Sequence, residues 1–269
     1  MKKITPLYEN LSMVVSFTLI GLALYFVVDI PVTPEIQLIG MPISSFDLQQ
    51  LLMAVCLGGL VFAGVGMIVS SHTEVQIDYS IPFWVNSVLL IILATWTLPS
   101  LNNPMNWGLG LIIVGILLFL TMLTEYRLIE TVETSFNVAE LWSRWVSYGL
   151  MLTYGIYIGQ AGISLVFRIV GVACVAWLLA SSIFNLHATH NKHVNRLSIL
   201  VGLAIGQVMW FLAYWSVNSI MVGLMTFLFF YTICGLIADY LQEKLTRQVA
   251  IEYGVVMVLG LWAIMRIVG

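Results

Sequence analysis

The sequence predicts an all-α fold, a polytopic bundle of transmembrane helices, and two observations carry that prediction. Of the 269 residues, 61% are hydrophobic and 9% are charged, whereas soluble domains carry roughly 45–50% and about 25%. The apolar residues also form continuous runs, each near the roughly 20 residues that a helix needs to cross a bilayer. Continuous runs favour helices over barrel strands, because barrel strands alternate and a helix satisfies its own backbone polar groups.

Nine apolar runs follow one another along the chain and are separated by short polar breaks. The third, fourth and ninth runs are the shortest, so eight spans is an alternative to nine. Because every loop is short, we expect residues 1–269 to form a single integral membrane domain. The runs cover residues 11–28, 50–70, 82–98, 108–124, 141–159, 163–183, 197–215, 220–238 and 253–268.

The basic residues predict the orientation of these spans. The first run follows two lysines, as a signal peptide would, but no small-residue cleavage site follows it, so we expect a first membrane helix. With the amino terminus in the cytoplasm, eight basic residues fall inside and two outside, as the positive-inside rule requires. The carboxyl terminus is then outside, and the short loops are typical of a prokaryotic plasma (inner) membrane. The inner set is Lys2, Lys3, Arg127, Arg144, Lys192, Arg196, Lys244 and Arg247; the outer set is Arg168 and Arg266.

Two stretches of sequence suggest an internal duplication. ENLSMVVSFTL (9–19) and ELWSRWVSYGL (140–150) share Glu, Ser, Val, Ser and Leu in register, and each opens a span. Glu125-Tyr126 ends the fourth predicted helix and Asp239-Tyr240 the eighth. Four spans in each unit would make the repeats parallel. The predicted repeat units are residues 9–139 and 140–251, followed by a ninth helix at 252–269.

The three cysteines, Cys56, Cys174 and Cys234, each lie inside an apolar run. An odd count with no cysteine in a loop argues against a disulfide framework. We therefore interpret all three as small buried hydrophobic residues.

Composition and motifs exclude several classes of function. The few basic residues are dispersed, so the sequence predicts no nucleic-acid partner. The phosphate-binding loop, the H-E-x-x-H zinc motif and the G-x-S-x-G nucleophile motif are all absent, as are a lysine for a retinal Schiff base and a histidine for a buried haem within any span. We expect no cofactor, and the sequence leans against an enzyme.

Three of the four histidines, His187, His190 and His193, stand close together in SSIFNLHATHNKHVNRLS. If the sixth helix continues, they form a row at i, i+3 and i+6, and neutral imidazoles are zinc ligands. No carboxylate lies nearby in sequence, and Lys192 and Arg196 would repel a cation. We therefore interpret the group as a polar cap on a helix, with these histidines as the candidates should a metal bind.

Gln207 is the most polar side chain near the middle of a predicted span, in GLAIGQVMWFLAY. Trp210 at i+3 and Tyr214 at i+7 share its face of the helix. In one interpretation these three side chains line a cavity for an amphiphilic molecule. In the other, which we favour because helix bundles need such contacts, Gln207 is an interhelical hydrogen-bonding residue worth about 0.6 kcal/mol and Tyr214 belongs to the outer aromatic belt.

Two classes of function remain after these exclusions. The first is non-enzymatic: a small permease, a protein that handles lipids or other hydrophobic molecules, or an accessory subunit of a membrane complex. Its partners would be the lipid bilayer, a hydrophobic or amphiphilic small molecule, or other membrane subunits. The alternative is a membrane enzyme that acts on a lipid head group at the cytoplasmic face, using the three histidines with Glu125, Glu130 or Glu133. We favour the non-enzymatic class because no reactive constellation is evident.

Overall fold

The computed structural model of the chain is built of α-helices, as the sequence predicts. In the part of the chain that it describes, each of the nine apolar runs corresponds to one helix. Between the first two helices, β1 (Gln37–Leu38) and β2 (Met41–Pro42) form a short antiparallel ladder. The structure describes residues 5–27, 37–38, 41–42, 48–70, 84–101, 103–129, 133–160, 164–186, 193–215 and 217–267.

Several helix ends are set by residues that satisfy terminal backbone groups. Asn218 Oδ1 accepts a 2.8 Å hydrogen bond from the Met221 N–H and so caps the eighth helix. That helix is followed by a turn in which Glu243 takes a positive φ of 57°. The helices are α1 (Thr5–Val27), α2 (Leu48–Ser70), α3 (Val85–Thr97, continued by a 3-10 turn at Leu98–Ser100), α4 (Pro104–Ile129), α5 (Glu133–Gln160), α6 (Leu165–Asn185), α7 (Val194–Tyr214), α8 (Ser219–Leu241) and α9 (Arg247–Ile267).

Seven of the described helices are long and apolar enough to cross a membrane: α1, α2, α4 and α6 to α9. The helix α3 is apolar, but even with its 3-10 turn it is shorter than an ordinary span. The helix α5 is long enough, but its serine, tyrosine and glycine content and Arg144 lower its hydropathy. The protein is a multi-pass helical membrane protein, and crossings by α3 and α5 stay predictions.

The chain divides by its internal contacts into two compact units. Unit 1 is Met1–Ser143 and contains α1 to α4 with the first part of α5; unit 2 is Arg144–Gly269 and contains the rest of α5 with α6 to α9. The predicted duplication and its repeat units at 9–139 and 140–251 stay predictions, because a division by contacts does not reveal an internal repeat.

Glycines allow close helix packing within unit 2. A Cβ built on Gly223 of α8 would lie 2.9 Å from the backbone nitrogen of Ile156 on α5. A Cβ built on Gly202 of α7 would lie 2.7 Å from the backbone oxygen of Ala173 on α6. Small residues at such positions let helix backbones approach each other, which is the usual way that membrane helices associate.

The interpretation of all three cysteines as buried is wrong for two of them. Cys234 is buried, whereas Cys56 and Cys174 are exposed at the protein surface. In a membrane-spanning helix an apolar residue can face either lipid or another helix, because lipid is as apolar as the protein core. Position within an apolar run therefore does not reveal burial against other helices.

Candidate functional site

The predicted histidine cluster is only partly within the described residues. His193 occupies the N-cap position of α7, where its side chain is exposed; His187 and His190 lie outside the described residues. Among those that are described, no group of three His, Cys, Asp or Glu side chains could hold a metal ion. Both the metal site and the polar cap stay predictions for this segment.

Gln207 lies on α7 with its side chain exposed at the surface of unit 2. Among the described residues, none forms a hydrogen bond with its side-chain amide. The structure therefore places this amide at the surface of α7 and not in a hydrogen bond between two described helices. An amide transferred to an apolar medium without a partner costs roughly 2–7 kcal/mol.

Gln207 lines a groove between α6 and α7, which we call the α6–α7 groove, with a volume of about 650 Å³. Its floor is made of small residues, because Gly202 and Gly206 of α7 pack against Ala173 of α6. Val170 from α6 and Leu203 from α7 are exposed along its sides. The backbones of α6 and α7 pack closely at these small residues, and a space therefore remains between the larger side chains on the two helices.

A tryptophan stands toward each end of the α6–α7 groove. Trp177 Nε1 donates a 3.4 Å hydrogen bond to Asn195 Oδ1, and Trp210 Nε1 donates a 3.3 Å hydrogen bond to Tyr214 Oη. Along α7 the lining runs from Ile199 to Trp210, about 16 Å at 1.5 Å rise per residue. The groove is thus an elongated apolar slot, and Gln207 contributes its one side-chain amide.

The three residues predicted to share a face therefore have different positions relative to this groove. Gln207 and Trp210 line it. Tyr214 is not part of the lining but contacts Trp210, with 6.3 Å between the ring centroids. Both aromatic side chains are exposed, Trp210 by 53% and Tyr214 by 73%.

Gln207 also lines a second groove, of about 480 Å³, formed by α7, α8 and α9. Its other lining residues are apolar, and they include Phe211 on α7, Phe229 on α8 and Leu261 on α9. No residue of α9 from Arg247 to Ile267 is buried. The Gln207 amide therefore stands on the ridge between two apolar grooves.

Burial of the Glu125 carboxyl is a feature of unit 1 that the sequence does not predict. Glu125 was predicted to end the fourth helix, but α4 continues to Ile129, and Glu125 is only 4% exposed. Ser87 Oγ donates a 2.7 Å hydrogen bond to Glu125 Oε2, and Asn86 Nδ2 donates a 3.0 Å hydrogen bond to Ser143 Oγ. The signal in the sequence was the polar pair Asn86-Ser87 at the start of an apolar run.

The apolar helices define a multi-pass helical membrane protein, and its unit 2 carries an open apolar slot between α6 and α7. The chain belongs to the family described as protein of unknown function (DUF5656), whose model matches residues 30–267. No curated protein and no solved structure matches the chain.

Proposed function

We propose that this protein is a non-enzymatic membrane protein that binds a hydrophobic or amphiphilic molecule, such as a lipid, in the α6–α7 groove. The observation that carries the proposal is the exposed amide of Gln207, which has no described partner and stands in an otherwise apolar slot. Binding an amphiphile would bring a polar atom to this amide while its chain covers the apolar walls.

The size and chemistry of the groove support this proposal. Sites for small molecules commonly measure roughly 300–1,000 Å³ and combine apolar walls with a few polar groups. The α6–α7 groove, at about 650 Å³, lies within that range. Its length of about 16 Å along α7 suits an extended hydrocarbon chain better than a compact polar solute.

The uncompensated amide argues against a purely structural role for Gln207. An interhelical contact would give the amide a partner on α6 or α8, and the described residues of both helices offer none. A carbonyl or hydroxyl of a bound amphiphile would supply that partner at the same depth. Whether binding serves a permease, lipid handling or assembly with another membrane subunit depends on what occupies the slot.

The alternative of an enzyme acting on a lipid head group has weaker support. It requires the histidine segment, of which only His193 is described, together with a carboxylate near the membrane surface. Of the carboxylates proposed for it, Glu125 is buried and bonded to Ser87. A buried group bonded to its own protein is poorly placed to reach a head group.

Photo-crosslinking tests the proposal directly. The purified protein in lipid nanodiscs would be illuminated with a phospholipid that carries a diazirine in its acyl chain, and modified peptides would be identified by mass spectrometry. We expect adducts concentrated on α6 and α7 around Val170, Cys174 and Leu203. Leu203→Trp should reduce these adducts several-fold, because the indole fills the slot.

The matched control is Leu259→Trp on α9. Leu203 and Leu259 are exposed to nearly the same extent, 58% and 59%, but Leu259 lines neither groove. Adducts spread evenly over all lipid-facing helices, with no difference between the two variants, would contradict a binding groove.

A further inference from the structure

We propose that the carboxyl group of Glu125 is a proton-binding site inside unit 1, and that its resting form is the neutral acid. The site consists of Glu125 on α4 with Ser87 in the first turn of α3. This inference goes beyond the proposed function, and it uses residues that lie outside the α6–α7 groove.

The hydrogen bonds distinguish the two oxygens of this carboxyl. Oε2 accepts from Ser87 Oγ at 2.7 Å, and the backbone N–H of Ser87 also donates to the carboxyl. Oε1 is buried and has no hydrogen-bond partner among the described residues. Oε2 is thus the acceptor, and Oε1 is the oxygen available to carry a proton.

Charge balance favours the neutral form. No arginine or lysine in the described residues forms an ion pair with Glu125. Burial away from water disfavours a carboxylate that has no ion-pair partner, whereas the two hydrogen bonds from Ser87 and the amino end of α3 favour it. The desolvation cost is the larger quantity, so the group is stable when protonated.

The surrounding helices contribute few other titratable groups. The described part of α3 carries none. Arg127 follows Glu125 by two residues, which places it about 200° around α4, and its side chain is exposed. The other described titratable side chains on helices of unit 1 are Tyr8, Glu9 and Tyr25 on α1, Cys56 on α2, Tyr126 on α4 and Glu140 on α5.

Glu125 lies inside a candidate membrane span, Pro104–Leu128, close to its carboxyl end. Glu125 lies in the last two turns of α4, which ends at Ile129. Ionisable side chains within membrane helices are rare and commonly mark proton or ion pathways. A metal ion would need several lone pairs directed at it, whereas both groups that Ser87 directs at the carboxyl are hydrogen-bond donors.

Dicyclohexylcarbodiimide provides the test, because this apolar reagent modifies carboxyl groups that are protonated in an apolar environment. The full-length protein in nanodiscs would be treated across a pH series and its peptides analysed by mass spectrometry. We expect a stable adduct at Glu125 and its complete loss in Glu125→Gln. Glu252→Gln, which alters an exposed acid on α9, should leave the Glu125 adduct unchanged.

Infrared spectroscopy in heavy water measures the protonation state of Glu125 without a reagent that has to reach the site. A carbonyl stretch of a protonated carboxyl should be present in the unmodified protein and absent in Glu125→Gln. If only carboxylate bands change on this substitution, Glu125 is an ionised cap on α3 and the proposal is wrong. Neither outcome affects crosslinking in the α6–α7 groove.

Discussion

Ser87 and Glu125 join α3 to α4 through a 2.7 Å hydrogen bond from the serine Oγ to the glutamate Oε2. The serine is fully buried, and the glutamate nearly so. The two residues are 38 positions apart in the sequence, so this bond is a contact between two helices. Its contribution to the free energy of unfolding depends on the cost of removing a hydrogen-bond donor from the buried carboxyl.

Replacing Ser87 with alanine should destabilise unit 1. The change removes the hydroxyl that donates to a buried carboxyl and leaves the backbone N–H of residue 87 as its donor. The loss of one such hydrogen bond costs about 0.5–1.5 kcal/mol. We expect a lower melting temperature in detergent, measured by intrinsic tryptophan fluorescence. Ser12→Ala is the control, because Ser12 is exposed and its hydroxyl donates to the Glu9 carbonyl within its own helix. Equal melting temperatures for the two variants would show that the bond to Glu125 contributes little.

Gly223→Ala should separate α8 from α5. A Cβ at this position would collide with Ile156 Cγ1 and would lie 3.0 Å from the Leu152 backbone oxygen, so the backbones themselves would have to move. Overpacking of this kind typically costs about 1–3 kcal/mol. In Gly149→Ala on α5, the new methyl group meets no atom within 4 Å. Unfolding in a denaturing detergent titration should show a loss for the first variant and none for the second.

Gln207→Leu separates the two interpretations of this residue. If the amide is an interhelical contact, the substitution should destabilise the protein by about 0.6 kcal/mol. If the amide instead faces an amphiphile, we expect unchanged or higher stability in detergent together with weaker retention of the bound molecule. Thermal melts and mass spectrometry of co-purified lipid measure the two quantities. A destabilised variant that retains lipid normally would count against the groove as a binding site.

Cys174 offers a native reporter of the α6–α7 groove. It is exposed within the lining, whereas Cys56 is exposed on α2 in unit 1 and Cys234 is buried. We expect a lipid-soluble maleimide to label Cys174 and Cys56 but not Cys234. An occupant of the groove should slow labelling of Cys174 and leave Cys56 unaffected. Equal slowing at both positions would indicate a general lipid effect rather than a site.

A reporter fused after Gly269 tests the predicted orientation. Nine spans with a cytoplasmic amino terminus place the carboxyl terminus outside, and so would seven spans if neither α3 nor α5 crosses. Alkaline phosphatase, which is active only outside the cytoplasm, should therefore be active in this fusion. Activity of a cytoplasmic reporter at the same position would mean an even number of crossings. At least one predicted crossing would then be wrong, and every loop that follows it would lie on the opposite side of the membrane.

Much of the fold could be predicted because lipid imposes a strong constraint on sequence. Each apolar run had to become a helix to satisfy its backbone groups, and the nine predicted runs correspond to α1 to α9. Helix ends were harder to predict. Polarity placed the end of the fourth helix near Glu125, whereas α4 extends to Ile129 because burial and a hydrogen bond from α3 accommodate the acid.

The candidate sites depend on more than the sequence of one helix. Helical periodicity predicts that Gln207, Trp210 and Tyr214 share a face of α7, since that depends only on residues per turn. The groove beside them depends on how closely α7 approaches α6 at Gly202, and no pattern within one helix encodes its neighbour.

The amino-acid sequence by itself determined that the chain is a helical membrane protein, because hydrophobicity and run length are properties of each segment alone. Only the tertiary structure decided which side chains face other helices and which face lipid. Cys174 and Cys234 lie in equally apolar runs, yet one lines a groove and the other is buried. Because lipid and protein interior are equally apolar, composition does not distinguish them, and shape complementarity between helices makes the choice.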